Sequence, residues 1–240
     1  MAALSQLKLL YHCVLSPIRG ETHQERLDSF YGGQAEHYDA TRNKMLHGRE
    51  DLFASLPTGG DWLDLGCGTG RNATLFGERI AEFNSVQLVD LSESLLGVAK
   101  RRIDEQGWQN VRPVHADVTK LDAADNSADL VTFAYSLTMI PDWFAALAEA
   151  TRVLRPGGTL GVVDFYVSRK HPADDRHKHS WFTRSFWPVW FANDNVHPSP
   201  DHLPYLANHF EPVEVHEQMG KLPWIPLIRT PYYRFVGRKK

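Results

Sequence analysis

The chain has 240 residues, a formal net charge of −3, and 42% hydrophobic and 23% charged residues. This length suits one large domain, or one domain with an attachment, and the ordinary composition excludes disordered, collagen-like and disulfide-framework proteins. Because there is no excess of positive charge, we expect no nucleic-acid partner. Two cysteines, Cys13 and Cys67, are too few for a disulfide framework or a zinc site.

Residues 1–56 are predicted to form a helical arm and lid that precede the main domain. Within residues 1–20, apolar side chains recur at the spacing of one helical face. This helix can dock on the core of the protein or contact a membrane or a partner, and the pattern leaves both open. A polar helical stretch follows at about 22–56. We expect a cytoplasmic protein, because the apolar run near the start is too short to span a membrane and no signal-peptide cleavage site follows it.

From residue 57 onward, short apolar strands alternate with helices, which predicts a parallel sheet covered on both faces. The predicted strands lie at 62–65, 86–89, 111–115, 130–134 and 159–165. The predicted helices lie at 71–81, 92–106 and 142–154. Ser92 is the expected N-cap of the second helix, and the turn at 155–158 ends the third.

After residue 165 this alternation stops. Helices are predicted near 180–192 and 200–209, and two more strands at about 213–218 and 232–237. A Pro-rich stretch at 221–231 links these last strands, and such a short link suits an antiparallel pair that closes the sheet.

A glycine-rich loop, Asp64-Leu65-Gly66-Cys67-Gly68-Thr69-Gly70, lies where the first predicted strand meets the first predicted helix. Ligands bind at this edge of a parallel sheet, and glycines let the backbone approach them closely. A dinucleotide motif would have glycine in place of Arg71, and a Walker loop would have Gly-Lys-Ser/Thr. The loop therefore favours an uncharged or cationic nucleoside over a phosphate group.

Acidic residues follow the next two strands at the same edge. Asp90 ends the second strand, where an acid can accept hydrogen bonds from ribose hydroxyls, and Leu91 comes next. Asp117 and Val118 follow the third strand, where the acid can accept from an adenine amino group. This ordered set predicts a site for a nucleoside cofactor.

These motifs resemble those of class I S-adenosylmethionine-dependent methyltransferases, over about residues 25–240. The resemblance implies a Rossmann-like α/β fold: a seven-stranded, mostly parallel sheet with an antiparallel last strand and helices on both faces. It also implies S-adenosyl-L-methionine as cofactor, with Gly66 and Gly68 against its methionine part, Asp64 on its amino group, Asp90 on its ribose and Asp117 on its adenine. The predicted cofactor-binding residues are Asp64, Gly66, Cys67, Gly68, Gly70, Asp90, Leu91, Asp117, Val118, Tyr135 and Ser136.

Four further segments, at 27–39, 136–144, 163–170 and 190–196, resemble the N-methyltransferase of betaine-lipid synthesis. That family trimethylates diacylglycerylhomoserine to diacylglyceryl-trimethylhomoserine, and some members are fused to the aminocarboxypropyl transferase that makes the substrate. The resemblance implies a lipid amine substrate at the membrane surface, that transferase as a partner, and peripheral association with the inner membrane face. Two alternatives stay open: a methyltransferase for another amine, such as phosphatidylethanolamine or a small soluble metabolite, and a cofactor-binding scaffold without activity.

Methyl transfer to an amine depends on in-line alignment with the methyl donor and on an unprotonated nitrogen. Tyrosine hydroxyls can accept hydrogen bonds from the amine, and tyrosine rings attract the quaternary product. The candidate catalytic residues are Tyr31, Tyr38, Tyr135, Asp164 and Tyr166. For each tyrosine the alternative is packing in the core or at its rim, and for Asp164 it is a buried, hydrogen-bonded strand end.

The predicted substrate insertion, residues 168–210, combines histidines, basic residues and aromatic residues within the main domain, 57–240. His171, His177 and His179 suggest a metal site, but the basic neighbours would repel a metal ion and the reaction needs none, so we expect no metal. A basic patch facing an anionic membrane and a solvated loop remain the alternatives. Aromatic residues between 181 and 191 recur at helical spacing, and they either cover the sheet or contact acyl chains or a membrane interface.

Overall fold

The computed structural model describes residues 24–25, 45–192, 195–222 and 225–240. The strands are β1 (Asp61–Leu65), β2 (Ser85–Asp90), β3 (Val111–His115), β4 (Ala128–Ala134), β5 (Leu154–Phe165), β6 (Phe210–Leu222) and β7 (Ile225–Lys239). The α-helices are α1 (Arg49–Ser55), α2 (Arg71–Thr74), α3 (Glu93–Gln106), α4 (Trp143–Val153), α5 (Trp181–Ala192) and α6 (His202–His209). Two 3₁₀ turns lie at Gly77–Glu82 and Leu137–Met139.

The seven strands form one sheet in the order β3-β2-β1-β4-β5-β7-β6. Strands β1 to β5 pair in parallel, whereas β7 is antiparallel to both of its neighbours, β5 and β6. This arrangement confirms the predicted mostly parallel sheet with an antiparallel last strand. The order reverses between β1 and β4, so the carboxyl ends of these two strands flank the crevice in which open α/β sheets bind ligands.

Apolar side chains cover both faces of the sheet, as a parallel sheet requires. On the face that packs against α1, α3 and α5, the rings of Phe53, Trp62, Phe76 and Phe83 contact one another with centroids 4.9 to 6.0 Å apart. The indole Nε1 of Trp62 donates to the hydroxyl of Thr132 at 2.9 Å, so this buried ring keeps a partner for its one polar atom. Helices α4 and α6 cover the other face.

The helix caps match the residues at their positions. The Ser92 hydroxyl accepts from the Leu95 N–H at 3.4 Å at the start of α3, which confirms the predicted cap. Asp142 caps α4 in the same way, accepting from the Ala145 N–H at 3.1 Å.

Two predicted elements differ from the observed ones. The helix predicted at 71–81 is split: α2 ends at Thr74, and a 3₁₀ turn begins at Gly77, whose φ of 57° does not continue an α-helix. The Pro-rich stretch lies within a long β6–β7 hairpin instead of a linker. Prolines are tolerated there because β5 pairs with β7 only from residue 232 onward, so the preceding part of β7 has a single neighbour.

Part of the predicted N-terminal arm is described, namely residues 24–25 and 45–56. Its last helix, α1, packs Leu52 and Phe53 into the core. The helix predicted within residues 1–20 and the candidates Tyr31 and Tyr38 lie outside the described residues. None of the described helices is both long enough and apolar enough to cross a membrane.

Candidate cofactor site

A cleft of about 280 Å³ opens at the carboxyl ends of β1, β2 and β4. We call it the donor cleft. The predicted cofactor residues that line it are Gly66, Cys67, Gly68, Asp90, Leu91, Asp117, Val118, Tyr135 and Ser136. Asp64 and Gly70 are not among its lining residues. Their contacts are with other parts of the chain, and they hold the loop in place.

The three glycines of the loop all have positive φ angles, 72° for Gly66, 55° for Gly68 and 68° for Gly70. A Cβ on Gly66 would lie 2.4 Å from the Cβ of Ser136, and one on Gly70 would lie 2.9 Å from a methyl group of Leu88. Those two glycines therefore let the loop pack against the sheet. A Cβ on Gly68 would have no neighbour closer than 4.0 Å. This glycine leaves space in the cleft.

Asp90 fixes the shape of the loop from the end of β2. One carboxylate oxygen accepts from the Gly68 N–H at 2.7 Å, and the other accepts from the Ser92 N–H at 2.9 Å. Each carboxylate oxygen has more than one lone pair, so both can also accept from ribose hydroxyls. The Asp90 side chain thus fixes the loop and also forms part of the predicted ribose site.

Asp64 lies fully buried beneath the loop. It accepts from the Thr132 hydroxyl at 2.7 Å and from the Asn72 side-chain amide at 2.9 Å. Burial raises the pKa of its carboxyl group to about 6, and the two hydrogen bonds oppose that rise. Asn72, by contrast, lines the cleft, and its buried Oδ1 has no hydrogen-bond partner among the described residues. Asp64 therefore orients Asn72, whose oxygen can accept from an ammonium group.

Two arginines line the donor cleft, and neither is among the predicted site residues. Arg71 has a buried Nε without a hydrogen-bond partner among the described residues. Arg49, at the start of α1, lies close enough to Asp64 and Tyr135 for its charge to oppose the burial that raises the pKa of each. Arg71 stands next to the glycine motif and could have been found there, whereas Arg49 is brought in by tertiary packing.

The polar groups of the cleft fit the cofactor predicted from the motifs. S-adenosylmethionine ends in an amino acid, whose carboxylate suits a guanidinium and whose ammonium suits the Asn72 oxygen. The space beside Gly68 admits the ligand close to the backbone. At the other end of the cleft, Asp117 is exposed, and one of its oxygens accepts from the backbone and hydroxyl of Thr119 at 2.8 and 2.7 Å.

Tyr135 forms a wall of the cleft at the end of β4, with a φ of 59°. Its hydroxyl donates to the His47 carbonyl at 2.6 Å, and its ring packs on Phe165 with centroids 4.6 Å apart. Burial, followed by the nearby charge of Asp164, raises the pKa of the phenol well above its usual value. The side chain therefore stays protonated and offers a neutral hydroxyl and a ring face. Burial likewise raises the pKa of the Cys67 thiol, which stays neutral.

The structure places Asp164 and Tyr166 away from the donor cleft, on the sheet face that packs against α4 and α6. Asp164 is fully buried and accepts from the Thr138 N–H at 3.1 Å and the Thr138 hydroxyl at 2.7 Å. It therefore holds the turn Leu137–Met139, from which the cleft residues Met139 to Asp142 continue. Burial raises its pKa to about 7. No part of its side chain is exposed, so Asp164 matches the alternative of a buried, hydrogen-bonded strand end, and its contact with the acceptor amine stays a prediction.

Tyr166 is also buried, and its ring packs on Tyr233 at 5.6 Å and on His179 at 4.9 Å. It lines a second cavity, under the 168–177 segment, together with Arg176 and His177. The alternation of side chains along β5 explains this, because Phe165 points to the Tyr135 side and its neighbours point to the other. Tyr166 is thus not part of the donor cleft.

The three histidines of the 168–179 segment do not share one environment. His179 is buried, and its Nδ1 accepts from the Ser168 N–H at 3.0 Å. Burial lowers its pKa to about 4, so it is neutral at pH 7. Among the described residues, no group of three histidine, cysteine or acidic side chains is arranged to hold a metal ion.

Known proteins resemble this chain in sequence and in fold. Residues 44–195 match the model of the ubiE/COQ5 methyltransferase family. The demethylmenaquinone methyltransferase of Geobacillus kaustophilus is 30% identical over 145 residues, which is 58% of this chain and 62% of that protein. The enzyme of the same name from Listeria welshimeri is 36% identical over 102 residues, 42% of this chain and 43% of that protein. The chain therefore spans less than two thirds of the length of these relatives.

A solved structure gives the same picture of the fold. Phosphoethanolamine N-methyltransferase 2 of Haemonchus contortus, in complex with phosphomonomethylethanolamine and S-adenosylhomocysteine, superposes with a TM-score of 0.67 at 16% identity, covering 92% of this chain and 60% of that one. This likeness concerns the fold alone. The family match covers more than half of the chain. The chain therefore belongs to the ubiE/COQ5 methyltransferase family, which confirms the predicted methyltransferase class and its cofactor, S-adenosylmethionine.

Proposed function

We propose that the chain is an N-methyltransferase that trimethylates the amine of diacylglycerylhomoserine, giving the betaine lipid diacylglyceryl-trimethylhomoserine. The observation that carries this proposal is the presence of two guanidinium groups, Arg49 and Arg71, in one donor cleft. S-adenosylmethionine has a single carboxylate, which one of them can bind. The second can contact the carboxylate that this acceptor carries on the same carbon as its amine.

When bound, S-adenosylmethionine supplies a methyl group that is already activated by its sulfonium centre. The work left to the protein is alignment and exclusion of water. Tyr135, Met139 and Ile140 give the cleft an apolar wall, and a partly desolvated amine has a lowered pKa and so keeps its lone pair. The Tyr135 hydroxyl oxygen can accept a hydrogen bond from the amine, and its ring attracts the quaternary product.

A quinol acceptor is the second candidate, because the named relatives are demethylmenaquinone methyltransferases. A quinol has neither an amine nor a carboxylate for the polar groups of the cleft to bind. Phosphatidylethanolamine carries its anion on a phosphate, farther from the amine. The scaffold alternative is disfavoured by the match of residues 44–195 to a family of methyltransferases. The aminocarboxypropyl transferase that makes the proposed acceptor is the expected partner.

The acceptor is tested by incubating the chain with labelled S-adenosylmethionine and vesicles that each contain one lipid: diacylglycerylhomoserine, phosphatidylethanolamine or demethylmenaquinol. We expect one, two and then three methyl groups on the homoserine lipid, read by mass spectrometry, and little label on the others. Preferential methylation of demethylmenaquinol or phosphatidylethanolamine would overturn the proposed acceptor while leaving the family assignment intact.

The two arginines are tested separately with Arg49→Gln and Arg71→Gln, and with Arg112→Gln, an exposed arginine on β3, as control. We expect one cleft variant to weaken S-adenosylhomocysteine binding by about tenfold, which is the loss of roughly one charge-assisted hydrogen bond. The other should keep that affinity and raise the KM for the homoserine lipid. If neither variant changes the KM for the lipid, the second guanidinium does not serve the acceptor.

A further inference from the structure

Helix α5 exposes an unusual set of large apolar side chains. The exposed fractions are 74% for Trp181, 61% for Phe182, 74% for Val189 and 45% for Trp190. The ring of Phe186 joins Phe182 and Trp190, with centroids 5.2 and 5.5 Å away. We call these five side chains the α5 aromatic face. Single exposed apolar side chains are common on protein surfaces. A contiguous patch of them, in contrast, marks a contact surface.

The opposite side of α5 is fixed to the core. Trp187 and Phe191 are buried, and the Phe191 ring stacks on Phe165 at 4.7 Å. Phe165 in turn packs on Tyr135, the wall of the donor cleft, at 4.6 Å. A continuous series of ring contacts thus connects the α5 aromatic face with the cleft. The exposed rings are held in place by a packed helix, so their exposure is not that of a loose loop.

The charged residues near the α5 aromatic face favour a membrane as its partner. From residue 176 to residue 192 the chain has no acidic residue, and it has Arg176, Lys178 and Arg184. Lys178, three residues before the start of α5, is exposed, and Lys170, earlier in the same segment, is exposed as well. Asp174 and Asp175 precede this stretch. Tryptophan favours the headgroup level of a bilayer, and lysine and arginine are attracted to anionic headgroups. The combination of rings and cations matches an anionic lipid surface.

We propose that the α5 aromatic face docks on a lipid bilayer with anionic headgroups, so that the ring series leads from the membrane to the donor cleft. This inference rests on the proposed function, since an acceptor with acyl chains is taken from a membrane. It goes further by assigning the surface that does so.

Docking is measured by flotation of the full chain with vesicles of phosphatidylcholine alone and of phosphatidylcholine with phosphatidylglycerol. The test variant is Trp181→Ala combined with Trp190→Ala. The control is Phe144→Ala, because Phe144 is 52% exposed on α4, at the other face of the sheet. We expect the wild type and the control to float with the anionic vesicles, and the double variant to bind them about tenfold more weakly. Lys170→Glu with Lys178→Glu should weaken binding as well, and more so at low salt.

Equal flotation of the double variant and the wild type would overturn the proposal, as would failure of the wild type to float with either vesicle. Light scattering addresses a different occupant: a wild-type dimer that becomes a monomer in the double variant would assign the face to a second copy of the chain. Turnover of a water-soluble, short-chain diacylglycerylhomoserine separates the two proposals. The double variant should retain it, whereas its absence in the wild type would count against the acceptor and leave the docking result standing.

Discussion

The glycine-rich loop and helix α5 differ in where their side chains find partners. In the loop region, Asp64 and Asp90 each accept two hydrogen bonds from within the chain, and Gly66 and Gly70 fit against neighbouring side chains. In α5, three of the six large aromatic side chains are exposed, namely Trp181, Phe182 and Trp190. A region whose groups are satisfied internally is explained by the fold and its ligand. A cluster of large aromatic rings exposed to water is unfavourable, so α5 needs a partner outside the chain.

The largest effect is expected for Asp90→Ala. The change leaves the buried N–H groups of Gly68 and Ser92 without their acceptor and removes the predicted contacts with ribose. We expect S-adenosylhomocysteine to bind roughly 100-fold more weakly, or about 2.7 kcal/mol, in isothermal titration calorimetry. Asp117→Ala is the matched comparison, and its effect should be smaller because Asp117 is exposed and, within the described part of the chain, forms hydrogen bonds with Thr119 alone. Equal effects would mean that the internal bonds of Asp90 are not what shapes the site.

The next largest effect separates two glycines of the same loop. Alanine at either Gly66 or Gly68 is strained at a positive φ, by about 1 kcal/mol. Gly66→Ala also brings a Cβ to 2.4 Å from Ser136, so the free energy of unfolding should fall by roughly 2 kcal/mol in total. Gly68→Ala should cost only the strain and instead weaken cofactor binding. Chemical denaturation and calorimetry on both variants check this, and identical stabilities would show that the close approach of Gly66 is relieved elsewhere.

Asp164 predicts a dependence of stability on pH. Its carboxyl pKa is about 7 in the folded chain against 3.8 for an ordinary aspartate, so the folded state binds more protons between these values. The free energy of unfolding from this group therefore falls as the pH rises from about 4 to about 7, by up to roughly 1 kcal/mol per unit, and is constant above. Asp164→Asn should flatten the profile between about pH 6 and pH 7, leaving below it the contribution of Asp64, whose pKa is raised to about 6. Parallel profiles for the two chains would contradict the raised pKa.

The smallest effect is expected for Tyr135→Phe. The ring contact with Phe165 stays, but the hydrogen bond to the His47 carbonyl is lost, which should lower the free energy of unfolding by about 1 kcal/mol. Cofactor affinity should not change, while kcat should fall several-fold because the oxygen that accepts from the amine is gone. A large loss of cofactor affinity would assign the hydroxyl to the donor instead.

The sequence predicts the strand ends of the fold and of the site because these depend on local patterns. Asp90, Asp117 and the loop at 64–70 follow apolar strands at regular spacing, and parallel strands carry them to one edge. Arg49 could not be found in this way, since α1 is brought to the cleft by the packing of Leu52 and Phe53. The burial of Asp164 could not be predicted either, because a strand end reveals its edge of the sheet but not which face a side chain points to.

The length of the final hairpin was also beyond the sequence pattern. The Pro-rich stretch at 221–231 suggested a linker, yet Pro226 and Pro231 lie in a part of β7 that has no second neighbouring strand. In α5 the spacing of the rings predicted the helix correctly. Which rings are buried depended on the position of Phe165, a contact distant in sequence.

A competition assay decides between the homoserine lipid and the quinol as acceptor. The chain is given labelled S-adenosylmethionine and vesicles that hold equal amounts of diacylglycerylhomoserine and demethylmenaquinol, and the methylated lipids are separated and counted. The proposed role of Arg49 and Arg71 predicts that the label appears in the mono-, di- and trimethylated homoserine lipids. Label in menaquinol, with none in the homoserine lipids, would contradict it.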